Sequence, residues 1–329
     1  MFFKKANSGR IDIIWYILGV FSIVIGYVLG GIPLTAVQFY KISSDPSIGT
    51  EEVERFNQTM DWSILNMDKN LGFVLMITIF IIAMLIFMLA IKYFHQRPFK
   101  NLITPNSKID FKKILFGFGF WMVLGLIFEG IIALMNPEVY YFNFKPVNWI
   151  ILLLICIFLL PIQTTYEELV LRGYLMPAFA LIAKNKWVPL LLTSILFGLI
   201  HGANPEISRF GFWTMQLYYV LAGLFLGLIT ILDDSLELAI GVHAATNIFG
   251  AAFFSFDGSV IQTDSIVKAS SINPYLMTAT FAISAVIFYF VCNKRYGWNG
   301  LSRLWENPDP DTTDDNNDDQ RIDLLTDNF

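Results

Sequence analysis

The chain has little charge and few of the side chains that soluble enzymes use for catalysis. Of its 329 residues 15% are Asp, Glu, Lys or Arg, three are histidines and two are cysteines, while 55% are hydrophobic. So much apolar material with so little charge excludes an ordinary soluble domain. The cysteines, Cys156 and Cys292, both fall inside apolar runs, which excludes a disulfide framework or a cysteine metal site and makes them packing residues. No glycine-rich phosphate loop, fixed-period repeat or basic-aromatic surface occurs, so no nucleic-acid partner is expected. The apolar runs are continuous rather than alternating, which excludes a membrane β-barrel.

What is present is a series of apolar runs, most of them near the length a helix needs to cross a bilayer. They lie at about 13–37, 72–93, 114–135, 149–165, 187–200, 210–232, 236–254 and 275–292. The expected fold class is all-α: a polytopic membrane bundle of about eight transmembrane helices, with the lipid bilayer as its first partner. The first run is longer than a signal-peptide core and no small-residue cleavage site follows it, so it is expected to be retained.

The chain divides into residues 1–110, holding two spans and an extracytoplasmic loop at 41–71; a core at 111–293; and an acidic tail at 294–329. The stretch "NPDPDTTDDNNDDQ" cannot bury enough surface to fold alone and reads as disordered. Lys4, Lys5 and Arg10 precede the first span and Lys92, Arg97, Lys100, Lys108, Lys112 and Lys113 cluster around the second loop, whereas the 41–71 loop is acidic. Basic loops stay inside, so the protein is expected in the cell membrane with both termini cytoplasmic.

Ionisable residues in or beside a span are costly and are functional candidates. They are Glu129, Glu167, Glu168, Arg172, His201, Glu237 and His243. In "YEELVLRG" Glu168 and Arg172 are four apart and share a helical face, where they can pair, while Glu167 points about 100° away. A paired carboxylate is structural; an unpaired one beside apolar walls is the better general base, which selects Glu167. The plain alternative is that both glutamates sit in interfacial water at a helix end.

"FGLIHG" places His201 one turn after Phe197, and "GVHAATN" places Asn247 one turn after His243. A lone membrane histidine commonly serves as an interhelical hydrogen-bond donor. Two of them following the Glu-Glu-x-x-x-Arg element favour chemistry: Glu167 with His201 to activate water, His243 and Asn247 to hold an oxyanion, as peptide hydrolysis requires. Zinc is the alternative, with Glu167, His201 and His243 as ligands, although HExxH is absent; no cofactor is the favoured reading. His95, in the basic "KYFHQRPFK" segment, is expected on the surface.

In this order, Glu167-Glu168-x-x-x-Arg172, Phe197-x-x-x-His201 and His243-x-x-x-Asn247 resemble the three motifs of the CAAX protease and bacteriocin-processing (CPBP, or Abi) family of intramembrane proteases, related to the type II CAAX prenyl endopeptidases. The resemblance covers about residues 110–255. It implies a helical bundle with a polar cavity open to one side of the membrane, Glu167 and His201 activating water, His243 and Asn247 stabilising the oxyanion, and Glu168 and Arg172 orienting the site. The substrates it implies are membrane-associated peptides or lipidated proteins. The residue before the motif arginine, often aromatic in that family, is Leu171 here.

The wet cavity is expected on the cytoplasmic side. The span boundaries place Glu167 near the cytoplasmic end of the fourth span and His201 about 20 Å up the fifth. Either the fourth helix runs past Arg172, or the fifth span starts later; Pro161 is a candidate break. A catalytically silent scaffold or immunity protein and a proton-relay transporter are the competing classes, the latter without the internal symmetry such transporters show.

Overall fold

The computed structural model describes residues 2–308. A short helix α1 (Phe2–Ala6) precedes α2 (Ile13–Ser44), α3 (Thr50–Thr59), α4 (Lys69–Tyr93) and α5 (Phe111–Met135). After strand β1 (Tyr140–Phe142) come the continuous helix α6 (Pro146–Ala183), then α7 (Trp187–Ile200), α8 (Pro205–Phe210), α9 (Phe212–Asp233) and α10 (Glu237–Ile248). Strands β2 (Phe254–Phe256) and β3 (Val267–Ala269) and helix α11 (Pro274–Tyr296) complete it.

Helices α2, α4, α5, α6, α9 and α11 are long and apolar enough to cross a membrane, and the protein is a multi-pass, all-α membrane bundle. Each of the eight expected spans is a helix. Two are shorter than the bilayer core: the 14 residues of α7 reach only about 21 Å. Apolar side chains face outward where lipid replaces water; on α2, Ile17, Phe21, Val24 and Val28 are exposed. Its inward stripe is Gly19, Ser22, Gly26 and Gly30. A Cβ on Gly26 would lie 2.9 Å from the Ala83 backbone, so small residues let α2 and α4 approach closely.

The fourth span resolves the sequence-level ambiguity. Helix α6 does not stop near residue 165 but runs 38 residues, about 57 Å, so Glu167 and Glu168 lie within it rather than at its end. Its turn breaks at Leu159, beside Pro161, which lacks an N–H and crowds the carbonyl one turn back. Over Leu169–Leu175 it widens into a π turn, closed by Met176 N–H donating to the Leu171 carbonyl.

Chain connections gather at two ends. At one end, α1, the 94–110 segment, the α6–α7 and α9–α10 turns and residues 298–306 pack together. Phe2 N–H donates to Asp234, Lys186 pairs with Glu306, and Arg303 donates to the Leu232 carbonyl. Both ends of the described chain are here, and this is called the terminal face. The tail expected from 294 onward is folded through 308, because Trp298 and Leu304 are buried apolar anchors and Trp298 Nε1 donates to Asp233. The rest of that expected tail, 309–329, lies outside the described residues.

The opposite face carries a small layer. Its sheet has the order β1-β3-β2, with β1 antiparallel to β3 (Tyr140 opposite Ala269) and β2 parallel to it (Phe254 opposite Val267). Asp264 pairs with Lys145 at 3.0 Å, and the 41–71 loop folds α3 over a cluster of Ile48, Phe56, Trp62, Leu65 and Met67.

His95 is not on the surface. It is fully buried at the terminal face, its Nδ1 donating to the Arg10 carbonyl and its Nε2 2.9 Å from the Tyr174 hydroxyl. The segment reads as a basic loop, yet Arg97 turns inward to the Ala6 carbonyl and closes α1 over the imidazole. Burial first, and Arg97 second, hold the His95 imidazole down to about 4. An unfolded histidine titrates near 6.5, so between about 6.5 and 4 the unfolded chain takes up a proton that the folded chain refuses. Stability should therefore be unaffected above that window and fall as pH drops through it. Melting curves in detergent across the window should show this loss, and His95→Gln should flatten it; equal slopes for both proteins would contradict it.

Candidate active site

The three motifs converge from α6, α7 and α10. Glu168 Oε1 accepts from Arg172 Nη1 at 2.9 Å and from His243 Nδ1 at 2.8 Å. Arg172 also donates through Nη2 to the Gly223 carbonyl on α9 at 3.1 Å and stacks over Phe197 of α7 at 4.7 Å. One fully buried ion pair thus joins four helices, and both partners are 0% exposed. A carboxylate can only accept, so the His243 Nδ1 carries the proton and its Nε2 faces the other glutamate.

Glu167 is held differently. Its Oε1 accepts from Gln163 Nε2 at 2.7 Å, one turn earlier on α6. Its Oε2 lies 3.5 Å from His243 Nε2 and has no hydrogen-bond partner among the described residues. Gln163 Oε1 in turn accepts from Asn247 Nδ2 at 3.0 Å, leaving that amide a second N–H. Gln163 was not among the sequence candidates. Nothing in its spacing sets it apart, and only its place one turn before Glu167 is a signal.

His201 ends α7. Its Nδ1 donates to the Phe197 carbonyl at 2.7 Å, and its ring stacks on Tyr219 at 4.6 Å, so its Nε2 is the free nitrogen. It makes no direct contact with Glu167; the glutamate's nearest imidazole partner is His243. Helix α10 also passes into a π turn, Phe249–Phe253, directly after the motif asparagine. Two of the three motif-bearing helices, α6 and α10, therefore widen close to their polar residues, a distortion frequent at functional sites.

A cavity of about 70 Å³ opens between α7, α9, α10 and α11, lined by His201, His243, Asn247, Tyr218, Tyr219 and Phe281 among others. That volume holds a few waters but not a peptide. A larger hollow of about 300 Å³ lies at the terminal face and contains none of the motif residues. Glu129 and Glu237 stand apart from the site: Glu129 accepts from Tyr140, and Glu237 accepts from the Asp110 N–H and from Ser235. Cys156 and Cys292 are buried free thiols.

Zinc would need its donors to converge. The donor types suit it, since both imidazoles have an oriented outer nitrogen. Among the described residues, however, no three His, Cys, Asp or Glu side chains are grouped as a metal ligand set.

A family model described as type II CAAX prenyl endopeptidase Rce1-like matches residues 146–249, the stretch that carries every motif residue above. The protein YyaK of Bacillus subtilis (strain 168), itself described as uncharacterized, is 33% identical over 252 residues, covering 75% of this chain and 80% of that one. The chain belongs to the Rce1-like type II CAAX prenyl endopeptidase family. Membership supports an intramembrane peptidase of the CAAX-protease type as its general activity. No solved structure matches.

Gln163→Leu keeps the side-chain volume but releases both Glu167 and Asn247. Cleavage should fall by about 10-fold to 100-fold at unchanged melting temperature, as for loss of an orienting contact. A rate equal to wild type would remove Gln163 from the machinery.

Proposed function

We propose that the protein is an intramembrane endopeptidase that hydrolyses a peptide bond of a membrane-associated peptide or protein without a metal. The observation that carries this reading is Glu167 Oε2: a buried carboxylate oxygen with no hydrogen-bond partner among the described residues, beside the imidazole that faces the cavity. A water held between Glu167 and His201 loses its proton to Glu167 as its oxygen adds to the scissile carbonyl. Asn247, through its second N–H, and His243, through a protonated Nε2, stabilise the oxyanion. Glu167 then returns the proton to the departing amine. Glu168 orients His243 throughout, and Arg172 orients Glu168.

Both termini are assigned to the cytoplasm, because the terminal face carries Lys100, Lys112, Lys113, Lys186, Lys294, Arg295 and Arg303. The experiment is cleavage of a quenched prenylated peptide and an unprenylated one by the purified protein, with and without chelator. Chelator-resistant cleavage supports the reading. Activity lost to chelator and restored by zinc overturns the metal-free mechanism, and preference for the prenylated peptide assigns removal of a C-terminal tripeptide.

A further inference from the structure

We infer that the catalytic cavity is loaded from the membrane face opposite the termini, and that its substrate is a peptide segment presented there, beyond the cytoplasm. The inference rests on the peptidase reading for the word substrate, but its geometry does not. Helix α7 starts at Trp187, next to Lys186 and its partner Glu306 on the terminal face, and ends one residue before His201. The histidine is therefore at the far end of its helix. The expectation of a site on the cytoplasmic side rests on a fourth span that ends near Glu167; α6 continues to Ala183, which removes that ground.

Burial gives the direction of access. Towards the terminal face the site is sealed by Leu169, Arg172, Tyr174, His95 and Leu236, all 0% exposed. On the other side Thr246, Asn247, His201 and Tyr218 are half-buried, and Ala203 is exposed. Water and substrate can enter only where the wall has accessible surface.

The wall on that side is continuous with the opposite-face layer. Tyr219, stacked on His201, accepts a hydrogen bond from Asn204 Nδ2 at 3.1 Å. Two residues on, buried Glu206 Oε1 accepts from the Val260 N–H at 2.8 Å in the loop between β2 and β3. Arg209 donates to the Asp257 and Ser270 carbonyls of that layer. The loop that follows His201 is thus fastened to the sheet, at the mouth of the cavity rather than beneath it.

Charge then orients the two faces. The bases cluster at the terminal face, whereas the opposite face has the acidic 41–71 loop and scattered single bases such as Lys145, Arg209 and Lys268. The cavity mouth consequently faces away from the cytoplasm. Its walls, Phe197, Tyr218, Tyr219 and Phe281, are aromatic and select an apolar side chain next to the scissile bond. An exported peptide, or the outer end of a membrane-spanning segment, has this chemistry.

The test uses the full chain in intact cells, with Cys156→Ala and Cys292→Ala as background. Ala203→Cys at the mouth and Thr246→Cys in the cavity wall are expected to react with a membrane-impermeant maleimide from outside at least about tenfold faster than Lys112→Cys, which should react only after permeabilisation. Ala203 is exposed, so that variant carries no folding risk. Thr246→Cys reacting only from the Lys112 side, or on neither side, overturns the proposal; so does Lys112→Cys reacting from outside. Repeating the labelling with Glu167→Gln separates the two readings. Labelling needs no catalysis, so a variant that labels as expected in a protein that cleaves nothing overturns the peptidase assignment and leaves the direction of access standing.

Discussion

Glu167→Gln is expected to lower the cleavage rate by about 10²-fold to 10⁴-fold, the range for removing a general base, with little change in melting temperature. The amide is isosteric, and its oxygen can still accept the 2.7 Å bond from Gln163. What it cannot do is take a proton from water. The comparison is made on purified protein, with rate and thermal stability measured on the same preparation. Full cleavage by Glu167→Gln would place the base elsewhere, and His243, 3.5 Å away, would be the next group to test.

Arg172→Ala is expected to cost on the order of 3–5 kcal/mol, because it leaves the Glu168 charge buried with one partner instead of two. The loss exceeds that of an exposed ion pair because neither group touches solvent. Arg172→Lys should not restore the protein, since a point charge cannot reach Glu168 and the Gly223 carbonyl together while lying flat on Phe197. Arg172→Met combined with Glu168→Gln should recover much of the stability without the activity, as His243 loses the charge that orients it. Denaturation in detergent, read beside cleavage, checks this; a double variant as unstable as Arg172→Ala would show that packing, not the uncompensated charge, sets the cost.

Much of the site was legible because its residues are anomalies. Glu167, Glu168, Arg172, His201 and His243 are ionisable groups where a membrane helix tolerates few, and their four-residue spacings fixed which pairs share a face. The pairing of Glu168 with Arg172 followed from that spacing. That Glu167 meets His243 rather than His201 did not, because contacts between helices depend on rotations that no local pattern encodes. Gln163 was invisible for the same reason: an uncharged amide near the end of an apolar run carries no signal until Asn247, 84 residues later, is folded against it.

The spans were readable from hydropathy, but their ends were not. Polar residues at 163–168 and a proline at 161 look like the end of a helix, and inside a bundle they lie instead in the middle of one. His95 misled in the opposite sense. Lysines and arginines around it suggested a solvated loop, whereas Tyr174 and the Arg10 carbonyl enclose it.

The π turn at Leu169–Leu175 has a consequence for the phase of α6. A π turn is an α-helix carrying one additional residue, which the widened turn takes up locally so that the faces before and after it keep their mutual phase. Upstream, the phase aims Glu167 and Glu168 at His243; downstream, it aims Tyr174 at His95 and places Gly173 2.6 Å, measured from its would-be Cβ, from the Leu102 carbonyl. Closing this turn into a regular α-helix with every residue kept would rotate one half by about 100° against the other. The widened turn of the described helix therefore lets the chain carry that extra residue while both the motif face and the docking face stay in register.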